Sequence, residues 1–186
     1  MIAGDTYTRV CTATDPYDSD ISTADTVHRM SKIVRSQVYS PVVIGAASDA
    51  IKDLPPNALS IDKARAIFYW IKQCIQFRND LDNTISYLPD VDNPQDKELL
   101  ISPDLLIQLG YGDCDDFSML AATMLFIVGI PARFVTVAAD RNTPYHFSHV
   151  YTQAYCNGRW IGFDVSHGPM PGWEYKHVTR FQVWNV

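Results

Sequence analysis

The sequence predicts an α+β protein in which a helix bearing a cysteine packs on an antiparallel β-sheet, with additional helices ahead of it. Two observations carry that prediction. Apolar residues recur at helical spacing as far as Gly129-Ile130-Pro131, and beyond Pro131 the pattern turns to β-rich segments, two of them joined by Asn157-Gly158, the strongest short hairpin signal. A third observation is length: 186 residues suffice for one well-formed core and are few for two, so a single domain over 1–186 is expected.

After a turn-rich start through Asp15-Pro16, Thr23 can cap a helix whose Val27, Met30, Ile33 and Val34 share one face. A second short helix is read over 41–53, stopped by Leu54-Pro55-Pro56. Ser60 then caps an amphipathic helix running to about Gln76, with Ala64, Ile67, Phe68, Ile71 and Ile75 in one stripe and Trp70 and Cys74 beside it. Residues 79–98 are rich in aspartate, asparagine and proline and show no period. They read as a long loop, either a lid or binding segment or a solvated connector. Its Asp90, Asp92 and Asp96 fail the calcium-loop pattern, because Pro94 occupies a ligand slot and the required glycine is missing.

A short helix over Pro103–Leu109 leads into Gly110-Tyr111-Gly112-Asp113-Cys114-Asp115-Asp116-Phe117. There Asp113 can act as N-cap, with Asp116 three residues on completing something close to a capping box. Phe117, Leu120, Ala121, Met124, Leu125 and Val128 form a broad apolar face, and Gly129 stops the helix just before Pro131. A helix this apolar is central, and Met119 and Met124 read as packing. Ala132 to Ala138 is then an inner strand, followed by a polar turn around 140–144, and Phe147 to Cys156 and Arg159 to Val165 flank the hairpin turn. The chain divides into a helical portion of about 1–78, the loop 79–98 and a core of about 99–175.

Composition excludes several classes. A formal net charge of -6 without a cluster of lysines or arginines argues against nucleic acid or an anionic membrane as partner. Residues 1–10 contain no apolar run of signal-peptide length and no later stretch approaches a membrane span, so a cytoplasmic protein is expected. Cys11, Cys74, Cys114 and Cys156 lie far apart with no C-x-x-C pair, which signals neither a zinc ribbon nor a disulfide framework. They read as free thiols, and no metal or cofactor is called for.

Cys114 differs from the other three. A thiol at a helix N-terminus faces backbone N–H groups and the positive end of the dipole, which favour thiolate over thiol. The hairpin supplies its partners. With Asn157-Gly158 as a two-residue turn, Cys156 faces Arg159 and Tyr151 faces Asp164, so His149, two residues from Tyr151, is the diagonal neighbour of Asp164 on the same face. Val150, Ala154, Ile161, Phe163 and Val165 occupy the other face, as a core requires. A carboxylate on one ring nitrogen fixes the tautomer and stabilises an imidazolium, leaving the other nitrogen to take the thiol proton. Asp113, Asp115 and Asp116 oppose thiol ionisation, so the His149 cation and the helix end must outweigh them. His146 and His167 read as loop or strand-end residues. Tyr155 and Trp160 share the face of His149, where they either wall a groove or pack beneath the helix.

Around these residues the chain resembles the transglutaminase-like superfamily of cysteine enzymes. The resemblance rests on Gly112-Asp113-Cys114-Asp115-Asp116, Gly129-Ile130-Pro131-Ala132-Arg133, Ser148-His149-Val150-Tyr151 and Gly158-Arg159-Trp160 leading to Asp164, with Ala66 to Ile71 and Ile75-Gln76-Phe77 upstream. It spans roughly residues 24–175 and is strongest toward short versions encoded in phages and prophages. It implies a papain-like α+β fold and thiolate attack on an amide carbonyl to give a thioester, resolved by water or an amine. It assigns Cys114 as nucleophile, His149 as general base and acid, and Asp164 as the partner that orients it. Many members have proline after the aspartate, where this chain has Val165. The Cys114 backbone N–H is the natural oxyanion donor, with Gln108 or a group near Asn79 or Tyr87 as candidates for a second. The expected activity is that of a cysteine peptidase or amidase on protein or peptide amides. Protein-glutamine acyl transfer, or a non-catalytic module with the same fold, are the alternatives. Phage virion or assembly proteins are the further partners implied, and host cytoplasm or a virion the implied setting.

Overall fold

The computed structural model describes residues 9–12, 19–79, 82, 97–176 and 178–186. Most of the 79–98 loop, including Asp90, Asp92 and Asp96, lies outside the described residues. The helices are α1 (Ser19–Gln37), α2 (Pro41–Ile51), α3 (Ser60–Cys74), α4 (Pro103–Leu109) and α5 (Cys114–Ile127). The strands are β1 (Arg9–Thr12), β2 (Gln76–Phe77), β3 (Lys97–Leu100), β4 (Tyr111–Gly112), β5 (Ala132–Val137), β6 (His149–Cys156), β7 (Arg159–Phe163) and β8 (Phe181–Asn185). A four-stranded antiparallel sheet runs in the order β7-β6-β5-β8, and β1 pairs with β3 and β2 with β4 in two small ladders. This is the mixed helical and antiparallel architecture expected from the sequence. No helix among the described residues is long and apolar enough to cross a membrane.

The fold is organised around α5. Every residue from Asp115 to Leu125 is buried, and α1, α2, α3, α4 and β6 all contact this helix. Beyond its first turn the helix is apolar on nearly every side, and such a helix has nowhere to sit but a core. The other helices supply the stripes read from their periodicity: Val27, Met30, Ile33 and Val34 from α1, and Ala64, Ile67, Phe68 and Ile71 from α3. From the sheet come Phe134, Val150, Ala154 and Phe163, and from the turn after β7 comes Val165.

Three hydroxyls that enter this core are bonded. Thr123 Oγ1 donates to the Met119 carbonyl at 2.7 Å, one turn back on the same helix. Ser118 Oγ reaches the Cys114 carbonyl at 2.6 Å and the Val150 carbonyl at 3.2 Å, while Thr152 Oγ1 donates to the Ser118 carbonyl at 3.0 Å. Ser118 thus joins the first turn of α5 to the first half of β6.

The hairpin has the predicted register. Asn157 and Gly158 take φ of 52° and 81°, the left-handed pair that a two-residue turn needs, and Cys156 pairs with Arg159 and Thr152 with Phe163. Tyr155 and Trp160 pack edge to face on each other, with the Arg133 guanidinium 4.2 Å over the indole. They lie on the face opposite the α5 core, so they do not pack beneath the helix.

Several elements depart from the sequence reading, among them the short strands β1 to β4, which it did not foresee, and α2, which ends at Ile51. α1 begins at Ser19 rather than after Thr23, so Thr23 lies inside the helix and does not cap it. α3 has Leu59 as its N-cap and Ser60 as its first residue, and the Ser60 hydroxyl contacts Asn157 Oδ1 in the hairpin turn at 3.3 Å instead of capping. α3 also stops at Cys74, because the Gln76 N–H donates to the Gly110 carbonyl at 2.8 Å and draws the chain into β2. The edge strand β8 was not read at all: five residues of alternation beside the chain's last position are too few to register. Its Trp184 is anchored by an Nε1–H bond to Thr136 Oγ1 at 2.9 Å.

Leu120→Ala removes a fully buried side chain from α5 and is expected to cost about 2–5 kcal/mol, whereas Thr152→Val, which removes one buried donor at constant shape, is expected to cost about 1 kcal/mol. Urea unfolding measures both. Equal losses would contradict the central place given to the α5 core.

Candidate active site

Cys114 is the first residue of α5, and its position is set from both directions along the chain. Upstream, Gly110 ends α4 with φ of 76°, and β4 runs parallel to β2 with Gln76 beside Tyr111 and Phe77 beside Gly112. A Cβ on Gly112 would stand 2.6 Å from Asp116 Oδ2 and 2.7 Å from Leu106 Cδ1, so the glycine before the cysteine motif is required by close approach. Downstream, Ser118 ties the Cys114 carbonyl to β6.

The carboxylates around the cysteine serve the helix start. Asp113 and Asp116 form the reciprocal capping box, in which the Asp113 N–H donates to Asp116 Oδ2 at 3.2 Å. Asp116 Oδ1 also accepts the Ile101 N–H at 2.7 Å, which joins the chain entering α4 to the start of α5. Asp115 Oδ1 accepts the Asp116 N–H at 2.7 Å. The three carboxylates offer atoms within 4.8 Å of one another, so the negative charge foreseen near the thiol is present, held against the N–H groups of the helix end.

His149 opens β6, and Asp164 is the residue after β7. His149 Nε2 lies 2.8 Å from Asp164 Oδ2, with His149 8% and Asp164 1% exposed. The second carboxylate oxygen accepts the Ser166 hydroxyl at 2.8 Å and the His167 N–H at 2.9 Å, and the Gly168 N–H closes the turn on the Asp164 carbonyl at 2.9 Å. Burial opposes ionisation of Asp164, but the hydrogen bond and charge of His149, followed by the bonds from His167 and Ser166, outweigh it and hold the carboxyl below its ordinary value. Val165, the residue after the aspartate, is buried in the main core at 3% exposure.

Aromatic rings surround the pair. His149 stacks beside Tyr151 at 6.2 Å between centroids, meets Tyr175 at 5.1 Å and takes the edge of His167 at 4.7 Å. Phe77, at the end of β2, packs on His167 at 5.0 Å and on Phe117 of α5 at 6.4 Å. Burial, then the charges of Asp164 and Cys114, push the Tyr175 phenol up to about 12, so Tyr175 is neutral and lies within electrostatic reach of both residues. Burial, then the electrostatic influence of His149, lowers His167, against an opposing pull from Asp164 that exceeds the effect of Lys72.

Tyr175 is held in place by the segment that follows Asp164. The Gly172 N–H donates to the Gly162 carbonyl at 2.7 Å, and a Cβ on Gly162 would stand 2.2 Å from the Trp173 carbonyl oxygen, so only glycine lets this segment cross β7. Gln153 Nε2 donates to Glu174 beside it.

Of the oxyanion candidates, Tyr87 lies outside the described residues and Asn79 is exposed, with its Oδ1 accepting the Asp82 N–H at 3.0 Å. The residue before Asn79, Arg78, donates its N–H to the Gly112 carbonyl at 2.7 Å, just beyond the β2–β4 ladder. Gln108 is an exposed residue of α4. His146 lies in an exposed turn, and Met119 and Met124 are fully buried core residues, as read. The sequence marks His167 only as a loop or strand-end residue and does not mark Tyr175. The first is signalled by Asp164-Val165-Ser166-His167, an aspartate turn; the second lies in a segment with no period to read.

The stability contributed by Asp164 carries a sign. Because its folded value is depressed, that contribution is fully present above the ordinary carboxylate value of 3.8 and is lost as pH falls through the depressed value. The gap in Tm between the parent and Asp164→Asn is therefore expected to be constant from neutral pH to about 5 and to close below about 3.8. A gap that widens on acidification would contradict the assignment of an ionised Asp164.

Residues 46–165 match the Transglutaminase-like superfamily. No curated protein matches the chain. Among solved structures, a candidate protease from Parabacteroides distasonis superposes with a TM-score of 0.52 at 13% identity, over 77% of this chain and 26% of its own. A candidate cysteine protease from Cytophaga hutchinsonii gives 0.45 at 20% identity, over 81% and 54%. A transglutaminase (TGase) structure gives 0.45 at 15% identity, over 90% and 38%. The chain spans about a quarter of the Parabacteroides protein, and at these identities the likeness is one of fold. With the family match covering well over half its length, including Cys114, His149 and Asp164, the chain belongs to the transglutaminase-like superfamily.

Proposed function

We propose that the protein is a cysteine hydrolase, a peptidase or amidase, that cleaves a protein or peptide amide through a thioester on Cys114. The observation that carries this reading is the buried His149–Asp164 pair at 2.8 Å, on the strand to which the first turn of α5 is bonded.

With Nε2 committed to Asp164, His149 presents Nδ1 as the base. Nδ1 takes the Cys114 Sγ–H proton, and the thiolate attacks the amide carbonyl carbon. The Cys114 backbone N–H and the positive end of α5 stabilise the oxyanion, with Gln108 or a group near Asn79 as candidates for a second donor. The imidazolium returns its proton to the leaving amine as the C–N bond breaks. Water, deprotonated by His149, then attacks the thioester and releases the acid and the thiol. An amine in place of water would make the same site a protein-glutamine acyltransferase, and incorporation of a labelled amine into glutamine peptides separates the two.

Burial raises the Cys156 thiol, and burial together with Asp49 raises Cys74, so neither competes as a thiolate near neutral pH. Iodoacetamide, followed by peptide mass spectrometry, is expected to label Cys114 at least tenfold faster than Cys11, Cys74 or Cys156 at pH 7, with the advantage lost in His149→Ala. Slow, uniform labelling of all four thiols would sink the enzyme reading.

A further inference from the structure

His167 has no part in the mechanism proposed above, yet its ring lies against His149 and its backbone holds Asp164. We propose that His149, Asp164 and His167 form an inhibitory zinc site at the candidate active site.

Each of the three offers a ligand atom within 4.8 Å of the others. Two imidazoles and a carboxylate suit zinc, whereas calcium and magnesium require shells of oxygen ligands. Access is open, because His167 is exposed while the other two are buried. The supporting contacts also fit. Ser166 Oγ lies 3.0 Å from His167 Nδ1 and donates to Asp164 Oδ1, so one hydroxyl orients two ligands and leaves Asp164 Oδ2 for the ion.

Zinc bonds of about 2.0–2.2 Å in a tetrahedral shell set ligand atoms about 3.3 Å apart. His149 and Asp164, now at 2.8 Å, need to part by roughly 0.5 Å, and His167 needs to swing in by about 1.5 Å at most. The ion replaces the hydrogen bond between His149 and Asp164. The proton on Nε2 moves to Nδ1, the ring stays neutral, and Nδ1 can no longer accept the thiol proton. The metal site rests on the geometry alone; inhibition rests in addition on the catalytic reading of Cys114 and His149.

Calorimetry with zinc chloride on the Cys114→Ser protein, which removes the site thiol, is expected to show one site whose affinity falls at least tenfold in the His167→Ala, Cys114→Ser double variant. Circular dichroism verifies that both are folded. In the protein with Cys114 intact, one equivalent of zinc is expected to slow iodoacetamide labelling of Cys114 at least tenfold, reversibly with EDTA, and to do so much less in His167→Ala. No binding, or binding that is equally tight without His167, overturns the site. Binding that depends on His167 but leaves Cys114 labelling unchanged upholds the site and counts instead against the catalytic coupling of Cys114 to His149.

Discussion

The candidate site depends on how one buried helix is fastened to one strand. α5 has no solvent face between Asp115 and Leu125, so its direction is dictated by the core. What fixes its position along that direction is polar: Ser118 bonded to Cys114 and to Val150, and Thr152 bonded back to Ser118. Val150 follows His149. The same pair of hydroxyls that satisfies buried carbonyls therefore relates the cysteine at the head of α5 to the histidine at the head of β6, and side chains locked by packing and hydrogen bonds are what a nucleophile and its base require.

The start of α5 is fastened a second time through Asp116. Its carboxylate closes the capping box with Asp113 and takes the N–H of Ile101, so the segment entering α4 and the start of α5 move as one. These carboxylates cannot be judged only as charges that oppose a thiolate. Each accepts backbone N–H groups at the positive end of the helix, an arrangement that local electrostatics favours and that specifies where the helix begins. Asp164 shows the same economy: one oxygen orients His149, the other organises the turn that carries His167.

Much of this was legible in the sequence wherever a period or a turn fixed the geometry. The apolar faces of α1, α3 and α5, the limits of α4 and the capping box follow from residue spacing. The Asn157-Gly158 turn alone determined that His149 and Asp164 share a face, because a two-residue turn leaves no freedom in register. What was not legible depended on contacts distant in sequence. Ser60 is a good cap by type, yet its hydroxyl is drawn to Asn157, 97 residues away. Tyr175 and Trp173 reach the site through an irregular segment whose path is set by the missing side chain of Gly162, and β8 is a strand only because β5 has an open edge for it. His167 was read as a bland strand-end residue, since nothing local tells that its ring folds back on His149.

The central claim is that His149 is held by Asp164 through Nε2 and serves Cys114 through Nδ1. Nitrogen-15 NMR of the histidine rings, recorded before and after alkylation of Cys114, tests it most directly. The account predicts a protected Nε2–H signal for His149 that disappears in Asp164→Ala, together with a shift of the Nδ1 resonance when Cys114 is alkylated. A His149 ring whose nitrogens respond to neither change would contradict it.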